Sequence, residues 1–225
     1  MCGRYAFFSP AEAVKRVFGV ARVPELAPRY NIAPTQPVPA LRAVQGGERE
    51  VALLHWGLIP SWAKERSIGN RMINARAETL AERPAYRRAY RDRRCLVLAD
   101  GWYEWQVTPS GKQPWFIRSA DGLPMGLAGL WESWRDPASG DITESCTIVT
   151  IDAPGPLARI HHRMPAVVPA GGFDAWLDAG SRDAAALERC LAAPDPAAFS
   201  SWPVSRRVND PRHEGAELVE PDRPA

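Results

Sequence analysis

With 225 residues, the chain is long enough for one large domain or two small ones with a sizeable apolar core. Hydrophobic residues make up 45% and charged residues 24%, which excludes disordered and collagen-like classes. A net charge of +2 does not by itself call for nucleic acid. No apolar run reaches transmembrane length, and the four cysteines, far apart and without CxxC spacing, give neither a zinc pattern nor a disulfide framework.

The chain opens Met1-Cys2-Gly3-Arg4-Tyr5. Arg4 and Pro10 interrupt any secretory signal, so the cytoplasm is the expected compartment. Ser9-Pro10-Ala11-Glu12 predicts a helix start, with Ser9 as cap, Pro10 in the first turn and Glu12 as the capping-box acid. Val14, Val17 and Phe18 share a face, and Gly19 ends the helix. Residues 22–39 are rich in Pro and read as an extended surface loop. Residues 38–44 and 50–56 read as paired strands around Gln45-Gly46-Gly47. A turn-rich aromatic loop follows over 56–62. Residues 71–76 read as extended, and a short helical stretch breaks at Pro84.

Residues 95–99 form a strand of buried type, Asp100-Gly101 marks a tight turn, and 102–107 return, which predicts a hairpin. Further strands are expected at 115–118, 127–131, 146–151 and 166–168. A short helix around 156–160 leads into His161, and 173–177 and 182–190 are helical. The segment after Glu214 is expected to be a short strand, frayed over 221–225. Strands outnumber helices and are mostly joined by turns, which predicts an α+β, antiparallel fold on one core, a single domain over 1–220.

Cys2 carries the first chemical signal. Its side chain is small enough for aminopeptidase removal of Met1, which would leave a terminus bearing both an α-amine and a thiol. Such an aminothiol condenses with an aldehyde to an imine, and the thiol then closes a five-membered thiazolidine. The amine titrates near ~7.7–8.0 and the thiol near ~8.5, so both react around neutral pH. A bland near-terminal cysteine is the competing reading. Cys95 and Cys146 sit in apolar runs and read as buried and inert.

Three segments place a reactive or polar residue two positions before an arginine: Cys2 and Arg4, Asn74 and Arg76, His161 and Arg163. In an extended segment such pairs face the same way, and guanidinium is suited to bidentate phosphate recognition. Glu104 lies among Trp102, Tyr103 and Trp105, where desolvation would raise its pKa for general acid/base work. A strand-edge Glu and a structural His161 are the ordinary alternatives, and a metal pair at His161-His162 lacks further ligands. From Arg71 to Arg94 eight Arg stand against Glu78, Glu82 and Asp92, a local net of +5. That run is either a phosphate-binding patch or a solvated face. The segment over 171–200 is acidic. Nine Trp serve core packing or a stacking surface.

Together these residues resemble the SRAP family, the SOS response-associated peptidase proteins. The resemblance is carried by Met1-Cys2-Gly3-Arg4-Tyr5, Tyr30-Asn31-Ile32-Ala33-Pro34-Thr35, Trp56-Gly57-Leu58-Ile59-Pro60-Ser61-Trp62 and Ile73-Asn74-Ala75-Arg76-Ala77-Glu78-Thr79. It continues through Ala99-Asp100-Gly101-Trp102-Tyr103-Glu104-Trp105, His161-His162-Arg163-Met164-Pro165 and Val204-Ser205. Tyr5 stands where Phe is frequent, and His162 fills a variable spacer.

The resemblance implies a partly barrel-like β core with short flanking helices. It implies an abasic-site sensor in DNA repair that crosslinks single-stranded DNA through Cys2, protecting the ring-opened sugar from strand cleavage. Cys2 would be the nucleophile, Asn74 would orient the amine or sugar, and Glu104 would shuttle protons. His161 would assist sugar ring opening and crosslink reversal. Arg4, Arg76 and Arg163 would hold phosphates, and Trp56, Trp62, Asn31 and Pro34 would stack on or wedge bases. Self-processing at Met1 and lyase-like imine chemistry are also implied. No cofactor or metal is expected, a monomer suffices, and the protein would join the nucleoid when bound to DNA. A thiol peptidase using Cys2, His161 and Glu104, and a non-catalytic single-strand binder, are the alternatives.

Overall fold

The computed structural model describes residues 2–44, 47–181 and 183–222. In chain order the strands are β1 (Tyr5–Phe7), β2 (Arg29–Ile32), β3 (Pro37–Ala43), β4 (Arg49–Trp56), β5 (Asn74–Arg76), β6 (Arg94–Ala99) and β7 (Gly101–Thr108). They continue with β8 (Gly111–Ser119), β9 (Met125–Arg135), β10 (Ile142–Asp152), β11 (Arg163–Pro165), β12 (Val167–Val168) and β13 (Phe199–Pro203). The helices are short: α1 (Ala11–Phe18), α2 (Arg87–Asp92), α3 (Phe173–Leu177) and α4 (Ala184–Cys190). Among the described residues no helix is long and apolar enough to cross a membrane.

β10 is the hub of the larger sheet. It pairs antiparallel with β9 and parallel with β4, while β4, β3, β6 and β9 follow one another antiparallel, so these five strands close a barrel. Closure removes the sheet edges. β5 also lies parallel to β10, and β11 antiparallel to it. The α+β fold with a barrel-like core is therefore as expected, with parallel pairing confined to β10. The core is apolar: Leu41, Leu54, Leu96, Leu98, Leu130 and Ile148 are wholly buried. Phe18 of α1 stacks on Phe173 of α3, their ring centroids 5.1 Å apart. A second, antiparallel sheet runs β13-β8-β7-β1-β2. Against it, Ala6, Tyr103, Phe116, Val204, Val208 and Leu218 form a smaller core.

The expected hairpin between 95–99 and 102–107 does not form. β6 belongs to the barrel and β7 to the second sheet, where β7 pairs with β1 and β8. Asp100 turns the chain between them. Its N–H donates to the Ala6 carbonyl (2.8 Å), and its carboxylate accepts from the Ser9 N–H (2.7 Å) and the Ser9 hydroxyl. A Cβ at Gly101 would lie 2.3 Å from the Phe116 ring, so only glycine fits that step between sheets. The same carboxylate takes Ser9 away from its expected role. The cap of α1 is Pro10, without a side-chain bond, although Gly19 ends the helix as expected at φ 63.

The loop expected over 22–39 contains β2 and the start of β3. Pro37 and Pro39 are tolerated because pairing of β3 with β6 begins only at Ala40. The paired strands expected at 38–44 and 50–56 are β3 and β4, and Gln45 and Gly46 of their turn lie outside the described residues. In place of a strand after Glu214 there is a 3-10 turn, Ala216–Val219, and one bridge from Pro221 to Val204. It buries Leu218 in the smaller core.

Candidate functional site at Cys2

Cys2 stands just ahead of β1 and is fully buried. Three separate segments deliver polar groups to it. The first is β5, laid parallel to β10 with Asn74 opposite Ile148. The Asn74 amide Nδ2 donates to the Cys2 carbonyl at 2.7 Å. Its Oδ1 is buried and accepts no hydrogen bond, so the amide has an acceptor left for a further donor. Tyr86, at the start of α2, donates its hydroxyl to the Asn74 carbonyl at 3.2 Å and fixes the strand from behind.

The second is β7. The Tyr103 N–H donates to the Arg4 carbonyl at 2.9 Å, which registers β7 against the N-terminal segment. Glu104, the next residue, is 2% exposed, and burial pushes its carboxyl up to about 7. Cys2 feels it: burial raises the thiol pKa most, and the Glu104 charge raises it further.

The third is the segment before β11. His161 Nδ1 lies 4.0 Å from Glu104 Oε2, a near approach and not a hydrogen bond. The Arg163 N–H and carbonyl both lie 3.0 Å from Nδ1, so the ring finds a partner in either tautomer. His162 stacks on it, the ring centroids 4.4 Å apart. Burial lowers the His161 pKa. At neutral pH the cluster thus holds a neutral imidazole, a carboxyl poised between its two forms, a protonated thiol and an amide.

The three dyads do not all present their arginines outward. Arg76 is exposed on β5. Arg4 is turned inward, where its Nη1 donates to Asn31 Oδ1 (2.8 Å) and the Val208 carbonyl (2.7 Å). Arg163 is 6% exposed and ion-paired to Glu78 (2.7 Å) and Asp152 (2.6 Å), with a further bond to the Thr150 carbonyl (2.6 Å). The same-face rule holds only inside a strand. Cys2 and Arg4 precede β1 and His161 precedes β11, so both dyads lie outside or across a strand boundary; only Asn74 and Arg76 share one.

The expected base-contacting residues divide similarly. Asn31 is fully buried, its amide donating to the carbonyls of His213 (2.8 Å) and Asp210 (3.0 Å), which locks the C-terminal segment down. Trp56 is fully buried, donates to the Ile73 carbonyl (2.9 Å) and meets Tyr5 edge-on at 5.4 Å. Neither can stack on a base. Pro34 is half-buried. Trp62 is 61% exposed, on a loop pinned by Trp134 Nε1 to the Ala63 carbonyl (2.7 Å) and by the Ile59 N–H to Ser145 Oγ (2.8 Å). Tyr86 and Asp152 lie outside every sequence motif, and no local signal identifies them.

Residues 1–211 match the family model described as SOS response associated peptidase (SRAP). The chain belongs to the SRAP family. Among curated relatives of this SRAP chain, abasic site processing protein YoqW of Bacillus subtilis (strain 168) is 36% identical over 224 residues, covering 98% of this chain and 99% of YoqW. Abasic site processing protein YedK of Escherichia coli (strain K12) is 33% identical, covering 98% and 100%. A crystal structure of a Bacteroides thetaiotaomicron protein shares the fold with a TM-score of 0.86 at 24% identity, covering 98% of this chain and 100% of that one.

Proposed function

We propose that this SRAP protein processes abasic sites in DNA repair by forming a reversible thiazolidine crosslink between Cys2 and the abasic aldehyde in single-stranded DNA. The observation that carries the reading is the meeting of Asn74, Glu104 and His161 at a cysteine one residue from the start of the chain. The names of YoqW and YedK, abasic site processing protein, support the substrate.

Removal of Met1 frees the Cys2 α-amine. The amine adds to the aldehyde carbon of the ring-opened deoxyribose, and Glu104 in its acid form gives a proton to the resulting hydroxyl, which leaves as water. The thiol then adds across the C=N bond. Sulfur bonds the carbon, the C=N electron pair returns to the nitrogen, which already carries its own hydrogen, and the thiol proton restores the acid form of Glu104. A carboxyl near 7 serves both directions at neutral pH, whereas an ordinary glutamate would be a poor acid there. Asn74 Oδ1 accepts from the amine or a sugar hydroxyl and keeps the terminus aimed. Neutral His161 takes the anomeric hydroxyl proton as the sugar opens and delivers it to the departing ring oxygen, which becomes a hydroxyl, and it relays the proton the other way when the ring closes on reversal. We assign removal of Met1 to the same groups, as the peptidase step. Arg76 holds a flanking phosphate, and Trp62 offers a stacking face.

The test is incubation with single-stranded DNA carrying one abasic site, followed by denaturing electrophoresis. The account expects a slow-migrating adduct that Cys2→Ser abolishes. A DNA-independent peptide hydrolysis requiring Cys2, with no adduct, would replace it by the thiol-peptidase reading.

A further inference from the structure

With Arg4 and Arg163 turned inward, Arg76 is left at the surface of the site, and further exposed arginines lie on one face of α2 and the turn before it. The Arg87 N–H donates to the Arg83 carbonyl at 2.9 Å, so helical spacing extends back to Arg83. Arg83, Arg87 and Arg91 thus form one stripe, with Arg88 beside it, and all four are exposed. Tyr86 and Ala89 face the core. Asp92 neutralises Arg91 at 3.0 Å. Among the described residues no carboxylate pairs with Arg83, Arg87 or Arg88. Their charge is crowded: the Arg93 guanidinium is pushed below its usual pKa by burial and then by Arg88.

This face borders a cleft of about 680 Å³ between α2 and α4, lined by Arg87, Arg88, Tyr90, Arg91, Arg94 and Leu187. Arg94 is 2% exposed and braces the floor by donating to the carbonyls of Trp176 (2.6 Å), Tyr90 (2.6 Å) and Arg91 (2.9 Å). The rim is cationic, and Tyr90 and Leu187 give an apolar wall. Repeated anionic groups joined by sugars and bases match that combination, whereas an acidic polypeptide needs no such wall. The face is tied to the reaction site, because Tyr86 within this turn holds the Asn74 carbonyl.

We infer that Arg83, Arg87 and Arg88 form a second contact for the single-stranded DNA backbone, outside the reaction site, that tracks the strand beyond Arg76 toward the α2–α4 cleft. The inference rests on the proposed reading only for the identity of the polymer.

The experiment is fluorescence anisotropy with a lesion-free, single-stranded oligonucleotide long enough to reach past the site, across a salt series. The proteins are wild type, the triple variant Arg83→Ala, Arg87→Ala, Arg88→Ala, and a triple lysine variant. Each lost phosphate contact removes about 0.7 from the slope of log K against log salt. The alanine variant should therefore show a slope shallower by about 2, so that four-fold more salt weakens it roughly sixteen-fold less than wild type. Lysines should restore the slope. Adduct yield at saturating abasic DNA should be unchanged, since none of the three touches Cys2. An unchanged slope in the alanine variant overturns the inference, as does loss of polyglutamate binding with DNA binding intact. If wild type forms no adduct while the slope still falls, the crosslinking account fails and this contact stands.

Discussion

Glu104 is the group whose chemistry and stability can be read together. Burial moves its carboxyl from the ordinary 4.5 to about 7. The charged form is therefore disfavoured in the folded chain by about 3 kcal/mol, an order-of-magnitude figure. The folded pKa lies above the unfolded one, so the folded state keeps a proton that the unfolded chain has released between these values. Relative to the protonated acid, the group costs the folded state nothing below 4.5, an increasing amount as pH rises toward 7, and the full amount above 7. Glu104→Gln keeps the shape of the protonated acid and removes the titration. Urea denaturation at a series of pH values should find variant and wild type equally stable at pH 4. The variant should be more stable by about 3 kcal/mol at pH 8, with a Tm higher by roughly 6–12 °C. Crosslinking should nevertheless fall by about 100-fold or more, as expected when a general acid/base is lost. A stability difference that does not change with pH, or a variant less stable at pH 8, would refute the buried, proton-holding carboxyl.

Other substitutions separate positioning from binding. Asn74→Ala removes the 2.7 Å bond to the Cys2 carbonyl, and should lower stability by about 1 kcal/mol and slow adduct formation by about ten-fold in single-turnover assays. Arg163→Ala breaks ion pairs to Glu78 and Asp152 beneath His161. It should destabilise the fold in urea melts and slow crosslinking, yet leave the salt slope of DNA binding unchanged, whereas a phosphate contact would lower that slope by about 0.7. Trp62→Ala, at an exposed ring, should weaken single-stranded DNA binding by about 1–3 kcal/mol with an unchanged Tm. Trp56→Ala, at a fully buried ring, should cost about 3–5 kcal/mol of stability instead.

Residue type and setting single out Asn74, Glu104 and His161 as candidates, and their roles follow only from the family resemblance. In the fold Asn74 bonds the Cys2 carbonyl, the Glu104 charge acts on the Cys2 thiol, and His161 approaches Glu104. Gly19 and the paired strands β3 and β4 followed from local propensity and alternation. What failed depended on distant partners. Asp100-Gly101 reads locally as a hairpin turn, but β1 inserts its own main chain against Asp100 and splits β6 from β7 into different sheets. Arg163 reads as a phosphate ligand beside His161, but Glu78 arrives from 85 residues away in sequence and occupies its guanidinium. Trp56 reads as a stacking ring until the barrel closes over it. The parallel pairs of β10 likewise have no local signature, because each depends on a long crossover.

The central claim is that the free aminothiol of Cys2 is the reactive group, and intact-mass measurement after incubation with abasic single-stranded DNA tests it most directly. The protein whose first residue is Cys2 should gain the mass of the DNA strand less one water. The same protein with Met1 or a tag left ahead of Cys2 should gain nothing. Equal adduct from both forms, or none from the form beginning at Cys2, would contradict the account.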